Sequence, residues 1–248
     1  MAQPIYIDYN GTTPHAPEVI EAMRPFLVAA FGNPSSSHWY GARPRQAVAV
    51  ARKQVAGLIG CRPEEIVFTS GGTESNNHAI RGMALALRAK GRHIITSAFE
   101  HPAVLEVCRH LEEEGFHTTF VPVDSQGMVD PAVVQEAIRD DTLLITIMHA
   151  NNEVGTVQPI ADIAAMAKAR GIAVHTDAAQ SLGKIPVDVK ALGVDLLSVA
   201  GHKLYAPKGI GALYVRQGVR PQKFCHGAGQ ERGWRAGTEN VLEIVGLG

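Results

Sequence analysis

From about residue 66 onward, short apolar runs alternate with longer stretches of helical periodicity, and few architectures accommodate that alternation. Ile66–Thr69, His93–Ser97, Thr118–Pro122, Leu143–His149, Ile172–His175 and Leu196–Val199 are brief and mostly β-branched or apolar, as buried strands are. Between them, Val104, Val107, Cys108 and Leu111 fall at i, i+3, i+4 and i+7, and Gly115 stands where a helix C-cap belongs. A helix is expected over Ala103–Glu114, with Cys108 in the core. Asp130-Pro131 supplies an N-cap and a first-turn proline for a helix through Ile138, and another helix runs from near Ala161 to Gly171. Units of this kind build a mostly parallel sheet covered by helices on both faces, an α/β fold.

The first sixty residues are less regular. Gly32-Asn33-Pro34-Ser35-Ser36-Ser37 reads as a loop, followed by a helix from about Pro44 to Ile59. No internal repeat, low-complexity tract or linker composition divides the chain into independent domains. With 248 residues and 46% apolar content, one large core is affordable. Lys and Arg number 23 against 24 Asp and Glu, with no basic run, so no nucleic-acid partner is expected. MAQPIYIDYN lacks the basic-then-apolar pattern of an export signal, and no apolar run reaches roughly 18 residues, so a cytoplasmic protein without a membrane partner is expected. The three cysteines, Cys61, Cys108 and Cys225, are far apart with no CxxC pair, which argues against a disulfide framework and against a structural metal site.

In open parallel sheets, ligands bind beyond the carboxyl ends of the strands. The residues after five of the expected strands are polar and chemically capable: Ser70-Gly71-Gly72-Thr73, Glu100-His101, Asn151-Asn152-Glu153, Asp177-Ala178-Ala179-Gln180 and Gly201-His202-Lys203. One composite site is the economical explanation.

Ser70–Thr73 ahead of a helix offers free N–H groups, a hydroxyl and a positive dipole end, which suit a phosphate, although such a turn is often only a turn. It is neither GxxxxGK[ST] nor GxGxxG, so nucleotide readings lose support. Asp177 after a buried strand needs a cationic or hydrogen-bonding partner; an N-cap or ion pair would serve, and so would a pyridinium nitrogen. Lys203 follows an apolar strand in a glycine-flanked loop, where desolvation could make its amine nucleophilic, although most lysines are solvated surface groups. His101 is either a structural histidine or a ring able to stack and move protons.

Together these residues resemble the cysteine desulfurases and selenocysteine lyases, within the class V aminotransferase branch of the fold-type I pyridoxal-phosphate enzymes. The likeness runs nearly end to end: Tyr6–Asn10 with Thr12-Thr13, Gly32–Ser36, Phe68–Asn77, Ala150–Gly155, His175–Gln180, Gly201–Lys203 and Gly237–Asn240. The resemblance implies a fold-type I large domain over residues 16–248, with residues 1–15 a segment that packs on a smaller carboxyl-terminal domain. It implies pyridoxal 5'-phosphate held by Lys203 as a Schiff base, with Lys203 then serving as base. Asp177 would meet the pyridine nitrogen, His101 stack on the ring, Gln180 donate near the phenolic oxygen and Asn152 lie beside substrate and cofactor. Gly72, Thr73 and His202 match phosphate ligands, and Thr238 matches the one that reaches a neighbouring subunit's phosphate, so a homodimer is implied. The implied substrate is L-cysteine or L-selenocysteine. Sulfur would pass to an acceptor protein, as in iron–sulfur cluster or thiocofactor supply.

The family's nucleophilic cysteine and its carboxylate-binding arginine belong to the smaller domain, which the chain as given is expected to lack. Cys61, Cys108 and Cys225 do not occupy the nucleophile's position. Ala200 stands where many desulfurases carry a phosphate-binding serine, a change that resembles the selenocysteine-lyase side. The competing readings are a non-catalytic pyridoxal-phosphate-binding, dimerising fragment and, less well supported, a transaminase.

Overall fold

The computed structural model describes residues 4–248. In chain order the elements are α1 (Pro17–Val28), α2 (Trp39–Leu58), β1 (Ile66–Thr69), α3 (Gly72–Leu87), β2 (His93–Ser97), α4 (Pro102–Glu113) and β3 (His117–Val121). They continue with α5 (Pro131–Ala137), β4 (Thr142–Thr146), α6 (Ile160–Ala169), β5 (Ala173–Asp177), α7 (Val189–Leu192), β6 (Leu196–Ala200), β7 (Gly211–Val215) and α8 (Val241–Leu247). The strands form one sheet in the order β1-β7-β6-β5-β4-β2-β3.

The pairs β2·β3, β2·β4, β4·β5 and β5·β6 are parallel, whereas β7 runs antiparallel to both β1 and β6. The expected mostly parallel sheet is present, with β7 as a strand the sequence reading missed. Gly211-Ala212-Leu213-Tyr214-Val215 is a short, buried apolar run like the other strands, and its glycine-flanked start, close to the lysine loop, makes it read as part of that loop. Two strand ends move by more than one residue. The regular part of β4 ends at Thr146 rather than His149, and β5 ends at Asp177 rather than His175, making Asp177 a strand residue. α2 begins at Trp39, so Pro44 lies inside the helix and removes the N–H that would reach the Tyr40 carbonyl.

Strand alternation divides the core between the two sheet faces. Ile66, Phe68, Ile95, Ile145, Val174, Leu197, Val199 and Tyr214 pack with α2 and α6. Val67, Ile94, Leu144, Ala173, Leu196 and Leu213 pack with α3 and α4. Cys108 is fully buried in the second group, as its helical spacing predicts.

The edge strand β1 is closed by side chains instead of a further strand. Arg52 and Arg232 donate to the Ile66 carbonyl, and Glu231 accepts from the Phe68 N–H. Capping an edge in this way blocks its pairing with another chain.

Candidate active site

At the carboxyl ends of β2, β4, β5 and β6, with the amino end of α3, a cavity of about 200 Å³ opens. Gly72, Thr73, His101, Asn152, Asp177, Gln180, His202 and Lys203 all line it. Eight expected residues, spread over more than 130 positions of sequence, therefore meet at one place. Gly11, Asn76, Met148, Ala150 and Ala200 are also part of the wall. Thr238 does not reach this cavity; it lines a separate hollow with Ser70, Gly209, Arg235 and Asn240.

At the amino end of α3, Gly71 adopts φ 148°, a left-handed backbone that an L side chain rarely takes. The turn leaves the N–H groups of Gly72, Thr73 and Glu74 without an acceptor among the described residues, an arrangement suited to an anion. The Ser70 N–H is taken by Glu74 Oε2, and Glu74 pairs with Arg235 at 2.8 Å. Burial works against the Glu74 charge, but the Arg235 and Ser70 bonds outweigh it and hold the carboxyl below its ordinary range. That pair ties the turn to the segment carrying Thr238.

Asp177 is 6% exposed. Its Oδ2 accepts from Asn76 Nδ2 at 2.7 Å and its Oδ1 from the Ala179 N–H at 2.9 Å. The partner a buried carboxylate requires is thus a carboxamide and a backbone donor. Asn76 Oδ1, fully buried, has no partner. A carboxylate with a spare lone pair on each oxygen, beside an unpartnered acceptor, is a place prepared for a ligand donor such as a protonated ring nitrogen.

Lys203 ends a short 3-10 turn, Gly201–Lys203, directly after β6, and its Nζ donates to the Asn10 carbonyl. Burial lowers its pKa, against the opposing carboxylates of Asp177, Asp8 and Glu153. His202 is also lowered, by burial and then by the charges of Lys203 and Lys208. Its carbonyl accepts from both the N–H and Oγ1 of Thr13, which anchors the amino-terminal segment at the site.

His101 is the N-cap of α4, with Nδ1 accepting from the Ala103 N–H at 3.1 Å. An accepting Nδ1 places the proton of the neutral ring on Nε2. The structural and the functional readings of this histidine therefore hold together: the cap aims the ring. Its neighbour Glu100 is buried, accepts from Ser97 Oγ and from the Met148 N–H, and has a pKa pushed up to about 8 by burial.

Residues 5–248 match the family described as aminotransferase class-V. The chain belongs to the class V aminotransferase family. Within it, the chain is 55% identical to cysteine desulfurase IscS of Dictyoglomus turgidum over 248 residues, all of this chain and 63% of that protein. It is 54% identical to cysteine desulfurase IscS of Methanosarcina thermophila, over 98% of this chain and 60% of the relative. The chain thus spans under two thirds of the length of these curated relatives. Among solved structures, a NifS-like protein superposes with a TM-score of 0.96 at 42% identity, covering 99% of this chain and 68% of the other. SspA in complex with cysteine gives 0.96 at 46%, covering 98% and 71%. This class V aminotransferase body is accordingly the large domain of the fold-type I enzymes, whose cofactor is pyridoxal phosphate. The cavity fits that group chemically: free N–H donors for a phosphate, a carboxylate beside an unpartnered acceptor for the ring nitrogen, and a half-buried amine for the aldehyde.

Sequence reasoning did not assign Asn76, Glu100 or Asn10. Asn76 stands one helical turn after Gly72 and so shares its face, a spacing signal that was readable. Glu100 stood among the polar strand-end residues and Asn10 within the amino-terminal motif, but without a role, because the Met148 and Gln180 partners that define them lie 48 and 170 positions away.

Proposed function

We propose that this protein is a pyridoxal-phosphate-dependent cysteine desulfurase that converts L-cysteine to L-alanine and passes sulfur to an acceptor protein, as in iron–sulfur cluster or thiocofactor supply. Selenocysteine lyase activity on L-selenocysteine is the related alternative. The observation that carries the proposal is the convergence of Lys203, Asp177, Gln180 and the Gly72-Thr73 turn on one cavity. The names of the relatives, and the cysteine bound to a structure of the same fold, support this choice of substrate.

In this reading Lys203 would hold the cofactor covalently, Asp177 its ring nitrogen, and Gly72, Thr73 and His202 its phosphate. His101 would lie on the ring, and Gln180 and Asn152 beside it. The bound cofactor supplies an electron-withdrawing ring next to the substrate Cα. Once the substrate amine has taken its place on the cofactor, the freed Lys203 amine, with proton affinity reduced by burial, would take the Cα proton as base.

No cysteine or arginine among the described residues lines the cavity. Burial pushes the thiols of Cys61 and Cys108 up to about 12, which makes them poor nucleophiles near neutrality. The attacking thiol and the carboxylate-binding arginine would come from a further domain, against which residues 1–15 would pack; residues 1–3 of that segment lie outside the described residues. Exposed Ile5, Ile7, Leu27, Val28, Phe31 and Trp39 support burial of that face. A cytoplasmic homodimer, with Thr238 serving the neighbouring site, completes the proposal.

Borohydride reduction after incubation with pyridoxal phosphate should add the cofactor's mass to the Lys203 peptide and to no other. With L-cysteine and a reductant, alanine should then be released above a Lys203→Ala control. Cofactor trapping without alanine would favour the second reading, a cofactor-binding body that does not turn over by itself. No trapping would remove both.

A further inference from the structure

Lys184 Nζ donates to Gln180 Oε1 at 2.6 Å and to Asn10 Oδ1 at 3.3 Å. Gln180 Nε2 in turn donates to the Asn10 carbonyl at 3.0 Å. A carboxamide has one donor end and one acceptor end, and its neighbours alone decide which way it points. An ammonium can only donate, so Lys184 requires Oε1 on its side. A carbonyl can only accept, so Asn10 requires Nε2 on the other. Lys203 Nζ donates to this same Asn10 carbonyl, so Gln180 and Lys203, which both line the cavity, aim their donors at one atom.

The turn after β5 builds this arrangement. Ser181 accepts from the Lys184 N–H and itself donates to the Ala178 carbonyl, which folds the chain so that Lys184 returns over Gln180. Burial and the charge of Lys203 both lower the pKa of Lys184, which places the two cations in one electrostatic neighbourhood.

We propose that Lys184 is a positioning residue of this site: through Oε1 it locks the Gln180 carboxamide with Nε2 presented as a donor. The lock persists when an acceptor other than the Asn10 carbonyl occupies the point where Gln180 and Lys203 converge. The inference rests on the pyridoxal-phosphate reading, in which that acceptor is the anionic ring oxygen. Without Lys184, the carboxamide is free to rotate and place an oxygen against that anion.

The test is the chain reconstituted with pyridoxal phosphate, read by cofactor Kd and by the position of the bound cofactor's absorption band. Lys184→Met should raise Kd roughly three- to tenfold, the scale of one hydrogen bond, and shift the band. Lys184→Arg, still donor-only, should stay within about twofold of wild type, and in a Gln180→Leu background Lys184→Met should add nothing. A wild-type Kd and spectrum for Lys184→Met, or an equal penalty with and without Gln180, would overturn the proposal. A cofactor-free readout keeps the two readings apart. The Gln180 side-chain amide resonances, assigned by their loss in Gln180→Leu, should shift and broaden in ¹⁵N-labelled Lys184→Met. If the wild type takes up no pyridoxal phosphate the cofactor reading fails, and unchanged resonances in Lys184→Met then overturn the Lys184 assignment on their own.

Discussion

Asn76 Nδ2 lies 2.7 Å from Asp177 Oδ2 and is the only side-chain donor that this buried carboxylate has among the described residues. A helix residue one turn behind the Gly71-Gly72 turn thereby orients a carboxylate at the end of a central strand, linking two parts of the cavity separated by 101 positions.

Asn76→Ala should weaken pyridoxal phosphate binding and lower stability by about 1–3 kcal/mol, since Asp177 keeps only the Ala179 N–H. Asn76→Asp should cost more, because two carboxylates then face each other out of water. Cofactor titration and urea unfolding check both. A ranking in which the aspartate variant is the more stable would contradict the account.

Gly211 is where β7 passes the Gly71-Gly72 turn. A Cβ there would lie 2.5 Å from the Val199 carbonyl oxygen and 2.7 Å from Gly71 Cα. Neither neighbour is a flexible side chain, so Gly211→Ala must displace backbone, at a cost of about 1–3 kcal/mol. The displaced turn should lose cofactor affinity by about tenfold or more, measured by equilibrium titration.

Glu100 sets a pH dependence of stability. Its pKa rises from an ordinary 4.5 to about 8 in the folded protein. Between those values the folded state holds a proton that the unfolded chain releases, so stability falls as pH rises through the window. His175, buried and lowered to about 3, acts with the opposite sign below its ordinary 6.5, where stability falls as pH falls. The difference between wild type and Glu100→Gln cancels the histidine contribution. That difference should fall by several kcal/mol between about pH 5 and 8, at about 1.4 kcal/mol per unit, in denaturant unfolding.

Arg52 and Glu231 form a buried two-pronged ion pair, with bonds of 2.7 and 2.6 Å, that closes the β1 edge. Glu231 and Arg232 hold it at positive φ, 46° and 56°, strained for residues with side chains. Arg52→Met should cost about 3–5 kcal/mol, because Glu231 is left as an uncompensated buried charge, and Arg52→Met with Glu231→Gln should recover part of it. Urea midpoints decide this.

The fold class, and the meeting of eight of the nine expected residues at one cavity, were legible in the sequence for one physical reason. Strands buried on both faces hold hydroxyls and imidazoles that find partners inside the sheet but almost no charged groups, so carboxylates, amines and free N–H groups gather at their carboxyl ends, where the chain turns and where ligands bind. Asp177, Lys203 and the Gly71-Gly72 turn needed only that local rule. The tertiary structure alone decided that β7 runs antiparallel between β1 and β6, and that Thr238 lines a different hollow in the single chain. It also decided that Asn10, 170 positions from Gln180, supplies the carbonyl on which Gln180 and Lys203 converge. Those facts depend on which side chains meet across the sheet and which way a carboxamide points. Periodicity reports which face a residue occupies, and pairing between distant segments is fixed only once the chain has packed.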